Sequence, residues 1–101
     1  MSATDIVATV SCSDPGMRFT GTIVSDGHVQ KYSGVGSGTY HASGHEIVCS
    51  FKKLEADGRI SLAVSEAGHQ EGQSSTPDKF GGVRAELMRA PMEQSSVFTT
   101  F

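Results

Sequence analysis

The chain has 101 residues, enough for one domain with a modest core and too few for a second core. Its formal net charge is −3 and its eight Lys and Arg residues are dispersed, which argues against nucleic acid as a partner. Hydrophobic residues make up 37%, charged residues 19% and glycine 12 positions, a mixture typical of a turn-rich all-β domain. We therefore expect a single β domain over residues 1–101.

No apolar run approaches the roughly 18 residues that a membrane-spanning helix needs, so we expect no membrane span. The first five residues lack the basic and apolar regions of a secretory signal, which makes the cytoplasm the default location. Cys12 and Cys49 both fall on the inward phase of predicted strands. We expect two buried thiols, with a disulfide bridge as the alternative in an oxidising compartment.

Hydrophobic alternation predicts the first two strands. Residues 6–12 alternate Ile, Ala, Val and Cys with polar or smaller side chains, and the Pro-Gly turn at 13–16 follows. Residues 17–24 place Met, Phe and Ile at odd positions and mostly Arg and Thr at even positions, which is typical of a half-buried strand. The Asp26-Gly27 dipeptide then favours a tight turn.

Three further segments continue this pattern. Residues 28–35 lead into a glycine-rich piece that ends at Ala42, and residues 45–54 form the strongest predicted strand. An Ala-Asp-Gly turn separates that strand from residues 59–65, where Ile, Leu and Val share one face. Short turns between successive strands predict an antiparallel meander through the centre of the chain.

The last third of the chain is less regular. Residues 66–82 are rich in Gly, Ser, Gln and Pro with Phe80 as the main apolar side chain, so we expect a long loop. Residues 83–89 alternate like a strand. Residues 91–101 end in β-branched and aromatic side chains, which predicts either a last strand or an apolar tail that adds to the sheet edge of a partner.

The predicted elements sum to six or seven strands in one small all-β domain. One open sheet of this size cannot bury a face by itself, so we expect a small antiparallel β-sandwich. A small closed β-barrel is the alternative, because the glycines at 34, 36 and 38 let strands bend around a core. In a barrel the five scattered Tyr and Phe side chains between 19 and 80 could line a ligand cavity, although the core is their more ordinary place.

The candidate reactive side chains are the histidines His41 and His45. If Ala-Ser-Gly at 42–44 is the tip of a hairpin, the two imidazoles lie opposite each other and could bind zinc or another transition metal, with His28 as a third ligand. The ordinary interpretation is two solvated histidines beside a turn. The glycine series at 34–38 matches neither a dinucleotide-binding nor a P-loop pattern, and no nucleophile elbow is present.

These observations favour a non-enzymatic binding or assembly module that requires no cofactor. We expect it to bind a protein partner or a second copy of itself through sheet edges, the 66–82 loop or the C-terminal segment. The candidate interaction residues are apolar side chains outside the predicted central meander: Phe80, Val97, Phe98 and Phe101. The alternative is a metal-binding protein or metal-dependent enzyme that uses His41 and His45.

Overall fold

The fold is built entirely from β-strands. A computed structural model describes residues 4–101, which form nine strands and no helix. The strands are, in chain order, β1 (Thr4–Cys12), β2 (Arg18–Ser25), β3 (His28–Val35), β4 (Ser37–Gly44), β5 (Glu46–Lys53), β6 (Ile60–Glu66), β7 (His69–Thr76), β8 (Gly82–Ala90) and β9 (Glu93–Thr100). Within residues 4–101 there is accordingly no helix with the length and apolar character needed to cross a membrane.

The strands form two antiparallel layers that pack face to face. The hydrogen-bonded order is β7-β6-β1-β4 in the first layer and β3-β2-β5-β8-β9 in the second. The layers are joined where β3 meets β4, and that junction consists of one residue pair, Val35 with Ser37. The predicted antiparallel β-sandwich is confirmed, and the layers do not close into the alternative barrel.

The core lies between the inner faces of the two layers, as the alternation in the sequence predicts. Every second residue of β1, β2, β5, β6 and β8 points inward because side chains alternate across a strand. The largest fully buried side chains are apolar apart from one lysine: Phe19, Phe51, Lys53, Ile6, Ile47, Ile60, Leu62, Leu87, Val10, Val64, Val83 and Cys49. Cys12 is partly buried, and both cysteines are free thiols, as expected.

The central meander is found only in part. β2 and β3 form a regular hairpin, but β4 pairs with β1, β5 pairs with β2, and β6 returns to β1. The chain therefore crosses between layers at the β4–β5 and β5–β6 connections. The short turns predicted that successive strands pair with each other. Each of these two connections instead leads the chain into the opposite layer, where the strands bury their apolar faces.

The strand count is nine because two boundaries were not predicted. Gly36, with a φ of 78°, ends β3 and starts β4, and an added Cβ there would lie 2.6 Å from the Pro15 carbonyl oxygen. The 66–82 segment is not one long loop, since it contains β7. Ala67 and Gly68 have φ values of 51° and 82°, which form a tight turn that pairs β7 with β6.

Candidate functional site

The main cavity of the described residues lies where β3 and β4 separate. The two strands meet at Val35 and Ser37 and then diverge, and a cleft of about 780 Å³ opens between them at one end of the sandwich. We call it the β3–β4 cleft. Its walls come from both layers and from the β6–β7 turn, and the lining residues are Asp5, Ile6, Val7, Ile23, Ser25, Asp26, His28, Gln30, His41, Ala42, Ser43, Ser65, Ala67 and Gly68.

Two tyrosines stand between the two strands on the side of the Val35–Ser37 junction. The ring centroids of Tyr32 on β3 and Tyr40 on β4 are 4.4 Å apart, and Tyr40 stacks on the core residue Phe51 at 5.3 Å. Burial raises the pKa of Tyr40, and the neighbouring Tyr32 adds to the shift. The Tyr32 hydroxyl donates to the side chain of Gln30, which lines the cleft. The two rings thus lie between β3 and β4, and Tyr40 joins them to the core.

Asp26 lines the cleft and connects two of the turns beside it. This residue lies in the β2–β3 turn with a φ of 48°, and its carboxylate accepts hydrogen bonds from the backbone N–H groups of Glu46 at 2.9 Å and His45 at 3.0 Å. These bonds, led by the one from Glu46, lower the Asp26 pKa. The β2–β3 turn is therefore fastened to the β4–β5 connection, which fixes the width of the cleft at this point.

The backbone of β3 presents hydrogen-bonding groups on the edge that is directed away from β2. Gly36 N–H donates to the Met17 carbonyl oxygen at 2.7 Å. From that pair onward, hydrogen-bonded and non-bonded residue pairs alternate along the β2–β3 ladder. The β3 residues between the bonded pairs, Val29, Lys31 and Ser33, direct their N–H and C=O groups away from β2. The β3 residues that line the cleft are His28 and Gln30, which flank Val29.

The backbone of β4 does the same with respect to β1. Cys12 N–H donates to the Gly36 carbonyl oxygen at 2.8 Å, and alternation along the β1–β4 ladder directs the N–H and C=O groups of Thr39, His41 and Ser43 away from β1. The Ser43 carbonyl is already used, since it accepts the hydroxyl hydrogen of Ser25. Each strand thus has an edge directed away from its ladder partner, and residues of both strands line the cleft.

The predicted metal site is not assembled as the sequence suggested. His41 lies on β4 and His45 between β4 and β5, but these strands belong to different layers, so the two residues do not form a hairpin pair. His28 and His41 line the β3–β4 cleft, and His45 is not among its lining residues. The Nδ1 atom of His45 lies 3.7 Å from Oδ2 of Asp26. Residues 4–101 contain no group of three or more His, Cys, Asp or Glu side chains placed to hold a metal ion. The metal site therefore stays a prediction, and the described residues do not supply a complete set of ligands for it.

The four predicted interaction residues divide into two groups. Phe80, Val97 and Phe101 are exposed, at 52%, 49% and 56% of their surface. Phe98 points inward from β9, packs against the core and lies over Gly72 of β7. Val97 and Phe101 share the outer face of the β8–β9 pair, and Phe80 lies in the connection before β8.

Asp26 and the backbone edges are the features of the cleft that sequence reasoning missed. The Asp-Gly dipeptide predicted the β2–β3 turn, but nothing in the sequence told which distant N–H groups the carboxylate would accept from. The edges depend on where β3 leaves β4, and a glycine alone does not reveal that separation. Comparisons of the chain with protein-family models, with curated proteins and with solved structures found no match. The molecule is a small antiparallel β-sandwich with a cleft where β3 and β4 separate.

Proposed function

We propose that the protein is a binding module that takes an extended polypeptide segment of a partner protein into the β3–β4 cleft. The observation that carries the proposal is that β3 and β4 pair at Val35 and Ser37 and then separate, and that residues of both strands line one cavity. An added strand gains affinity from main-chain hydrogen bonds, so it suits a cleft lined by residues of two strands.

The lining of the cleft favours a polypeptide over a compact apolar ligand. Small-molecule sites are lined mainly by apolar side chains with a few polar groups. Here the apolar residues Ile6, Val7, Ile23 and Ala42 are mixed with the exposed polar residues His28, His41 and Gln30. An extended segment satisfies these polar groups and the backbone groups between them.

The edge of β3 is the better template for an antiparallel ladder. Because β3 and β4 run antiparallel, an inserted strand is antiparallel to one and parallel to the other, and parallel pairing is slightly less stable. One of the three β4 positions, Ser43, already accepts a hydrogen bond from Ser25. We therefore assign the antiparallel ladder to Val29, Lys31 and Ser33.

The test is a pair of substitutions at Lys31. Lys31→Pro removes an N–H group on the β3 edge directed away from β2 and leaves the β2–β3 ladder bonds intact, as proline does on an edge strand. Lys31→Ala keeps that N–H group and removes only the side-chain charge. Peptides selected from a displayed random library on the wild-type protein should bind Lys31→Pro about tenfold more weakly and Lys31→Ala about equally, since about 1.4 kcal/mol corresponds to one lost hydrogen bond.

The location of binding is read from amide hydrogen exchange. Bound peptide should slow exchange at Lys31, Ser33 and His41, which have N–H groups on the edges directed away from β2 and β1. Selected peptides that bind both Lys31 variants equally, or that protect amides elsewhere only, contradict the proposal. A selection that yields no binder also contradicts it.

A further inference from the structure

The β9 edge lacks the features that usually protect a strand edge. β9 is last in the second layer and contains no Lys, Arg or Pro, and its register with β8 runs without interruption from Thr100 to Glu93. By contrast, the β6–β7 ladder at the other end of the strand order has a register shift at Val64/Ser65. Charges, prolines and bulges are the features that keep strand edges from pairing with other chains.

The outer face of β9 adds apolar surface to this edge. Val97 is 49% exposed and Phe101 is 56% exposed, and the Phe101 ring covers Gly82 on the neighbouring strand. The residue beside Val97 on β8 is Glu86, whose carboxylate lies 2.7 Å from Nη2 of Arg84. The only carboxylate directly beside Val97 is thus already paired.

The backbone pattern shows which groups of β9 face outward along the edge. Gly82 and Phe101 exchange both N–H···O bonds, at 2.8 and 3.0 Å. Bonded and non-bonded pairs alternate along an antiparallel ladder, so Val97 is bonded to β8, whereas Ser96 and Phe98 direct their N–H and C=O groups away from it.

We propose that β9 pairs with β9 of a second copy of this chain, antiparallel about a two-fold axis at Val97. Val97 then lies opposite Val97, and Ser96 exchanges main-chain hydrogen bonds with Phe98 of the second copy. Two-fold pairing makes the outer face of the β9 layer continuous between the two copies only when opposed residues lie on the same face of their strands. Centring on Val97 satisfies this condition and sets the two exposed valines in a non-bonded pair, where side chains are closest.

The charge pattern of β9 suits a second copy. Glu93 is the only charged side chain in the strand, and in this register it lies opposite Phe101. The two Glu93 residues are then eight positions apart along the ladder, about 27 Å at the usual rise per residue. Like charges, which destabilise strand pairs when they face each other, are kept apart.

Cysteine cross-linking tests the pairing and its register. Under mild oxidation Val97→Cys should form a disulfide dimer with itself, because non-bonded antiparallel pairs approach disulfide geometry. Thr99→Cys alone should form no disulfide-linked dimer, but a mixture of Ser95→Cys and Thr99→Cys should form the mixed disulfide dimer. The wild-type chain, with Cys12 and Cys49 only, sets the background.

The oligomeric state without cross-linking is measured by sedimentation. The wild-type chain should reach twice the mass of one chain as concentration rises, and Val97→Lys should stay monomeric at every concentration. Val29→Lys is the matched control, since Val29 is a comparably exposed valine on β3, and it should dimerise like the wild type. A wild-type chain that is monomeric at its highest soluble concentration, a folded Val97→Lys dimer, or cross-linking in another register would overturn the proposal.

Discussion

The Nε atom of Arg89 on β8 lies 3.0 Å from Oε1 of Glu66 at the end of β6, which joins the two layers at the end of the sandwich that holds the cleft. The Arg89 side chain is only 10% exposed and also donates to the carbonyl oxygens of Met88 and Ser95 and to the hydroxyl of Ser96. Glu71 of β7 lies 3.8 Å away from the same guanidinium. A single side chain thus connects strands β6 to β9.

Arg89→Ala should destabilise the fold by about 2 kcal/mol or more, because it leaves a partly buried carboxylate and two carbonyl groups without their donor. The measurement is urea unfolding of wild type and variant. The matched control is Arg84→Ala, which breaks the ion pair with Glu86 on the exposed outer face and should cost no more than about 0.5 kcal/mol. Equal losses in the two variants would refute the role assigned to Arg89.

Asp26 should make stability depend on pH. Its folded-state pKa is lowered by the Glu46 and His45 N–H groups, so its contribution is complete above the ordinary aspartate pKa and is lost as pH falls through the folded value. Asp26→Asn should therefore reduce the drop in urea midpoint between about pH 7 and about pH 3. The control is Asp57→Asn in the exposed β5–β6 turn, and a drop that is the same in Asp26→Asn and wild type would count against this interpretation.

The two thiols should differ in reactivity. Burial raises the pKa of Cys49 to about 12, and burial also raises the pKa of the partly exposed Cys12, with nearby Lys53 opposing that shift. Because the thiolate is the reactive form, a thiol reagent should modify Cys12 first and reach Cys49 only when the sandwich opens. Mass spectrometry of the native protein, with Cys12→Ser for comparison, measures the order. Rapid labelling of Cys49 in folded Cys12→Ser would show the prediction to be wrong.

Lys53 should stabilise the end of the sandwich opposite the cleft. The side chain is fully buried, and Nζ donates to the carbonyl oxygens of Gly58 and, at 3.1 Å, of Pro77. Lys53→Met keeps the apolar stem but removes the donor, which should cost about 1–2 kcal/mol in urea unfolding. Lys52→Met, on the exposed outer face of the same strand, should change stability by no more than about 0.5 kcal/mol. A variant at position 53 as stable as wild type would mean that water replaces the ammonium group.

The sandwich was predictable because its inner residues follow the period of a strand. The alternation around Phe19, Phe51 and Leu62 gives both the element type and the buried face. β7 was missed because its side chains are polar on both faces, and its turn uses Ala67 where Asn or Asp is usual before Gly68.

The cleft was less predictable than the fold. His28 and His41 were singled out as metal ligands, and the structure places both at the cleft by a different route, through β3 and β4 of separate layers. Strand order depends on distant pairings that short-range patterns do not encode. For the same reason the carboxylate of Asp26 could be assigned to a turn but not to its hydrogen-bond donors.

The position of β1 also determines when the molecule can fold. β1 lies between β4 and β6, so its two ladders cannot form until residues 37–44 and 60–66 have left the ribosome. The β2–β5 ladder likewise cannot form until β5 has been synthesised. Folding dominated by such distant pairings is slow, on the order of milliseconds to seconds for small β-sandwiches. During synthesis the apolar face of β1 is therefore open to chaperones or to misfolded contacts until more than half of the chain is complete.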